Sequence, residues 1–103
     1  MKKFSKSLKF HKKALQSIPL ATQTFSKSSM IYPYGASPLF IEKGAGCNVW
    51  DLDNNKYIDY ILGLLPIILS YKDKDVDKAI KQQLSKGIIF SLPSPIESHL
   101  AEE

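Results

Sequence analysis

The chain of 103 residues contains no arginine; all 14 of its Lys and Arg positions are lysines. That removes the planar guanidinium fork that grips carboxylates, phosphates and guanine edges at two points. There is one cysteine, Cys47. A lone thiol forms no internal disulfide, and without a CxxC pair or a Cys/His cluster there is no zinc-type ligand set. Cys47 sits in a strand pattern, where a small, buried or half-buried residue is expected. Long apolar runs are missing too. The longest, residues 61–69 (ILGLLPIIL), is broken by Gly63 and Pro66. It is far short of the roughly 20 residues that span a bilayer. No continuous apolar stretch follows the N-terminal lysines, so the pattern of a secretory signal is incomplete and a cytoplasmic location is expected.

What is present fits one small soluble domain: 44% of the residues are hydrophobic and 23% charged. A chain of this size buries roughly two thirds of its unfolded surface, which allows a core but not a large one. The formal charge of +4 is unevenly placed. Lys2, Lys3, Lys6, Lys9, Lys12 and Lys13 crowd the first turns, and the remainder is mildly acidic. Such an arm can touch nucleic acid or anionic lipid. A solvated helix face is the simpler account, and neither nucleic acid nor membrane is expected as a partner.

Residues 46–60, GCNVWDLDNNKYIDY, organise the rest. Val49 and Trp50 form one arm of a hairpin, and Tyr57, Ile58 and Tyr60 the other. Asp53, Asn54 and Asn55 make the turn, because Asn and Asp bond nearby backbone and tolerate positive φ. Asp51, Asp53 and Asp59 lack the spacing and closing Glu of a calcium loop, so turn chemistry accounts for them. Leu39, Phe40 and Ile41 are expected to form a preceding strand, with a turn at residues 43–46. Three successive strands make an antiparallel meander.

Around it, the spacing predicts an amphipathic helix over residues 5–17, with Leu8, Ala14 and Leu15 near one face and His11 solvated among lysines. Pro19 ends it. Residues 20–38 read as an irregular polar connector containing QTFSKSS. The run 61–69 is apolar on all sides and belongs in an interior or against a partner subunit. A helix follows, capped by Asp73 or Asp75, with Val76, Ala79, Ile80, Gln83 and Leu84 on one face and Gly87 as its stop. Residues 88–90 start an extended segment. Ser94, Pro95 and Glu97 fit a capping box that opens a last helix. That helix ends on two acids that oppose its dipole, and so short a helix is marginal alone; the expectation is a chain cut inside it. The divisions expected are 1–17, a basic arm; 18–38, an irregular polar segment; and 39–103, a meander with helices.

PLFIEKGAGCNVWDLDNNKYIDY, residues 38–60, resembles the N-terminal region of class-III pyridoxal-phosphate aminotransferases, among them glutamate-1-semialdehyde aminomutase. The likeness continues through Pro66, the helix over 76–84 and KGIIFSLPSPIESHLAE, and reaches back to Ile18 and Pro19. Asn54 stands where the family's turn glycine stands. The resemblance implies an α/β enzyme of fold type I, a homodimer of which this chain is the N-terminal α+β part. It implies pyridoxal 5'-phosphate (PLP) as cofactor, and a small amino donor and a carbonyl compound, possibly a sugar, as substrates. The Schiff-base lysine, the acidic partner of the pyridine nitrogen and the main phosphate loop lie downstream in the family, so no catalytic, cofactor-binding or metal residue is assigned here. Two positions carry implied substrate roles. Lys27 falls where the aminomutase has a carboxylate-gripping arginine, and would act as a point charge. Leu64 falls where relatives carry an aromatic residue near cofactor and substrate, which implies an altered pocket. Ser70-Tyr71 and Lys74-Asp75 replace the family's Gly-His and His-Pro. The alternative function is a truncated, inactive paralogue that serves as an interaction module through its apolar run.

Overall fold

The computed structural model describes residues 3–103. Helix α1 (Ser5–Ala14) is followed by two short 3-10 turns, Pro19–Ala21 and Phe25–Lys27. Strands β1 (Ile41–Ala45), β2 (Asn48–Asp51) and β3 (Lys56–Ile58) come next, then α2 (Lys74–Leu84) and α3 (Pro95–Glu102). The chain divides into two compact units, one ending at Lys72 and one spanning Asp73–Glu103. Among the described residues no helix is long and apolar enough to cross a membrane. Lys2, one of the six arm lysines, lies outside the described residues.

The expected meander is present, in the order β1-β2-β3 with both pairings antiparallel. Its first hairpin is shifted from expectation. The strand runs Ile41–Ala45 rather than 39–41, and Ala45 pairs with Asn48. The turn therefore holds only Gly46 and Cys47, with Gly46 at φ +57. A two-residue hairpin needs positive φ at its first central position, which glycine supplies without strain. Cys47 is thus a turn residue and exposed, not a half-buried strand residue. The ladder slips between Ile41 and Lys43, so residues 43–45 pair onward as strand where a turn was expected. Trp50 faces Lys43 on one neighbouring strand and Lys56 on the other, and both ammonium groups lie 5.5 Å from its ring. Such cross-strand contacts contribute about 0.5–1 kcal/mol each at exposed sites.

Helix α1 departs from expectation in its end and its face. It stops at Ala14, and residues 15–17 continue only as turns. The buried positions are Ser7, His11 and Ala14, while Leu15 is half exposed. His11 is therefore interior rather than solvated. Its ring meets Tyr34 edge-on at 5.6 Å and lies 6.4 Å from Phe40. Tertiary aromatic contacts, invisible to helical periodicity, set which face turned inward. The connector 20–38 is irregular apart from the two 3-10 turns. Ser28 is buried within it, its hydroxyl accepting from the Met30 amide at 3.3 Å.

The second unit is built from local rules. Asp73 caps α2 by accepting from the amides of Asp75 and Val76, both at 3.0 Å. Gln83, the polar break in the apolar face of α2, donates its amide to the carbonyl of Gly87 at 2.8 Å. Gly87 adopts φ +98 just beyond the helix, as a stop residue should. Residues 88–90 form no strand. Helix α3 opens on the expected capping box of Ser94 and Glu97 with Pro95 in its first turn. Neither helix has a buried residue.

Candidate functional site

Three aspartates of the meander are the joints of the first unit. Asp51 ends β2 fully buried. One carboxylate oxygen accepts from the amides of Asp53 and Asn55, at 3.0 and 2.8 Å. The other accepts from the Asn55 side chain and the Tyr57 hydroxyl, both at 2.9 Å. Each lone-pair direction is thereby used, which is what makes a buried carboxylate tolerable. Burial, then the bond to Asp51 and its charge, push the Tyr57 phenol well above its ordinary range. Asn54, at φ +65, completes the turn in the left-handed conformation expected of it.

Asp53 reaches outward from that turn to the start of α1. Phe4, the residue before the helix, makes no side-chain cap, and the first turn holds no acid. The Asp53 carboxylate replaces both, accepting from the amides of Lys6 and Ser7 at 2.9 and 3.0 Å and from the Ser5 hydroxyl at 3.2 Å. Orphan helix-end amides are thus satisfied from across the sequence. Desolvation raises the Asp53 carboxyl, but these donors outweigh it and hold its pKa below 3.8. Asn55 adds a bond from its side-chain amide to the Lys3 carbonyl at 2.8 Å.

Asp59 ties the apolar run 61–69. One oxygen accepts from the amides of Ile61 and Leu62, at 2.8 and 3.2 Å, and the other from the Tyr71 hydroxyl at 2.6 Å. Tyr71 in turn exchanges backbone bonds with Gly46, at 2.9 and 3.0 Å. Its ring lies over Gly44, where an added Cβ would come within 2.5 Å of the ring. The bond to Asp59 comes first among the causes that push the Tyr71 phenol up to about 12, followed by burial. For Asp59 desolvation raises the carboxyl, and the Tyr71 bond with the loop amides overcomes it to lower the pKa. All three aspartates are engaged in turns, caps and a clasp. Among the described residues no three His, Cys, Asp or Glu side chains gather as a metal ion would need.

The run 61–69 is displayed rather than interior. Leu65 is 76% exposed and Ile68 79%. Leu62, Leu64 and Leu65 all have positive φ. A left-handed residue with a side chain costs about 1–2 kcal/mol, so this loop is held in a conformation it would not adopt alone. Leu64 lies on it at φ +68 and is partly exposed. Lys27 ends the second 3-10 turn, exposed, in a different segment of the same unit. Sequence patterns missed Tyr71 and Gly44 as a pair. The available signal was Gly44 itself, since a glycine inside a strand marks a close approach.

A PLP site requires an enclosed lysine amine, and the residues present do not fit that demand. Every described lysine is exposed, and the buried Asp51 is fully occupied by its own turn.

No family model matches the chain. Individual proteins do match. It is 46% identical over 68 residues to glutamate-1-semialdehyde 2,1-aminomutase 2 of an Exiguobacterium species, covering 66% of this chain and 16% of the relative. Against the protein of that name from Bacillus mycoides it is 37% identical over 102 residues, 99% of this chain and 23% of the relative. The FumI protein of a Sphingopyxis species, solved in its PLP internal aldimine form, superposes with a TM-score of 0.86 at 28% identity, over 95% of this chain and 23% of that one. The helix, three-stranded meander and following helices are thus a part of the PLP-dependent aminotransferase fold. The chain belongs to the class-III aminotransferase and glutamate-1-semialdehyde aminomutase family, as an N-terminal segment, and spans 16% to 23% of the length of these curated relatives.

Proposed function

We propose that the chain serves as the N-terminal segment of a PLP-dependent class-III aminotransferase or aminomutase-like enzyme. The reaction is amino transfer between a small amino donor and a carbonyl compound, a sugar among the candidates, in a cytoplasmic homodimer. The observation that supports it most is the alignment over 102 residues with an aminomutase. Bound PLP supplies an electron sink for a carbanion, and the groups that hold it belong to sequence beyond these residues. Within this segment Lys27 offers an exposed point charge to a substrate carboxylate. Leu64 forms an apolar wall where an aromatic ring stands in relatives, leaving room for a different substrate body. The test is to purify the protein from its source, record cofactor absorbance, and assay amino transfer from amino acids to carbonyl acceptors. Bound PLP with transfer, weakened by Lys27→Ala through KM, is the expected result. Protein that binds no PLP and transfers nothing would end this reading.

One observation favours a second reading, an interaction module. The loop 61–69 presents Leu65, Ile68 and Leu69 to solvent, each more than half exposed. A patch of that kind marks a contact surface. Recovery of this chain in a stable complex with a full-length relative, without PLP of its own, would favour the module.

A further inference from the structure

The loop between Asp59 and Tyr71 contains left-handed Leu62, Leu64, Leu65 and Ser70. Strained backbone of this kind persists only where its surroundings over-determine it. Here both ends meet on one carboxylate. Asp59 receives the entering amides of Ile61 and Leu62 on one oxygen and the hydroxyl of Tyr71, beyond the far end, on the other. Tyr71 cannot drift, because its backbone is bridged to Gly46 and its ring occupies the space above Gly44.

We propose that Tyr71 is a positioning residue: acting through Asp59 and seated on Gly44, it fixes the left-handed loop and so sets where Leu64 stands. The tyrosine sets the loop's conformation without touching any reacting group. Its consequence for substrate choice rests on the reading of Leu64 given above, while the clasp itself does not.

Three variants of the full chain separate the parts. Tyr71→Phe removes the hydroxyl and keeps the ring. Asp59→Asn keeps the size and weakens the acceptor. Gly44→Ala displaces the ring without altering any hydrogen-bonding group. Amide hydrogen exchange and Leu64 methyl relaxation are read for each by NMR. The expected result is exchange of the Ile61 and Leu62 amides faster by about tenfold or more, and a more mobile Leu64 methyl, in all three. Amides of β2 and β3 keep their rates in Tyr71→Phe, and Tyr71→Phe combined with Asp59→Asn adds nothing further at Leu64. Unchanged loop exchange overturns the proposal. So does a uniform rise throughout the first unit, which is the mark of a general structural role. Both readouts are taken without substrate or PLP. A clasp that loosens in a protein unable to transfer amino groups would sink the enzymatic reading alone, and a loop that ignores Tyr71 in an active enzyme would sink the clasp alone.

Discussion

The two units of this chain are held by opposite means. In the first, up to Lys72, carboxylates bind partners far away in sequence: Asp53 caps a helix 46 to 48 residues earlier, and Asp59 reaches Tyr71 across 12. In the second, every cap is local. Asp73 bonds two and three residues ahead, Gln83 four ahead, and Ser94 and Glu97 three apart. The first unit contains all the buried side chains among the described residues, and four of those seven are polar or charged. The second buries none: Val76, Ile80 and Leu84, the apolar face of α2, are each about half exposed. Interior in the first unit is therefore a matter of polar joints more than of apolar volume, since only Ala14, Ala21 and Val49 are buried hydrophobics.

The difference in burial is sharpest at Asp51. Asp51→Ala removes the acceptor that gathers the turn amides, the Asn55 side chain and the Tyr57 hydroxyl, and we expect a loss of about 3 kcal/mol. Urea unfolding of the full chain measures it; a change under about 1 kcal/mol would mean that the buried carboxylate is not a joint. In the second unit the largest single effect is smaller. Asp73→Ala removes a local cap and costs about 1 kcal/mol, seen as lost helical circular dichroism. An effect as large as that of Asp51→Ala would erase the distinction between the units. Asp53→Ala tests long-range capping, with a several-fold rise in exchange confined to the first turn of α1, at Lys6 and Ser7. No local rise there would mean that the helix is satisfied without the hairpin.

The smallest effects come from pH. Tyr71 is raised from 10.0 to about 12, so its contribution is complete below pH 10 and lost as pH climbs toward 12. Its phenolate absorbance should emerge well above pH 10; emergence at pH 10 would contradict the clasp. Asp53 and Asp59 are lowered below 3.8, so what they add is present above that pH and lost as pH falls beneath it. Protection of the Lys6 and Ile61 amides, taken relative to the intrinsic exchange rate at each pH, should therefore hold through neutral pH and fall only in strong acid.

Local chemistry was legible in the sequence and long-range chemistry was not. The turn at Asp53, Asn54 and Asn55, the cap at Asp73, the stop at Gly87 and the box at Ser94 each depend on residues within four positions, and each stands where the residues indicated. The failures have one cause in common. Residues 43–46 read as a turn because two glycines lie close together, yet Gly44 is in a strand to make room for a ring from Tyr71. His11 read as solvated because lysines flank it, yet Tyr34 and Phe40 decide its burial. Asp53 read as a turn residue and is one of the turn's own, but its carboxylate serves a helix no pattern near it could reveal. The homology to aminotransferases was carried by the whole string 38–60, not by any of these contacts. Lys27 and Leu64 lie in separate segments, and their substrate roles remain part of the proposed function.

The cap from Asp53 also orders events during synthesis. A ten-residue helix rich in lysine, with no acid in its first turn, is marginal as an isolated peptide. Its first amides lack their carboxylate partner until residue 53 has left the ribosome, so α1 is made before the hairpin and capped only after it. Closure of the hairpin turn is what delivers that carboxylate, which ties the settling of the helix to the settling of the turn.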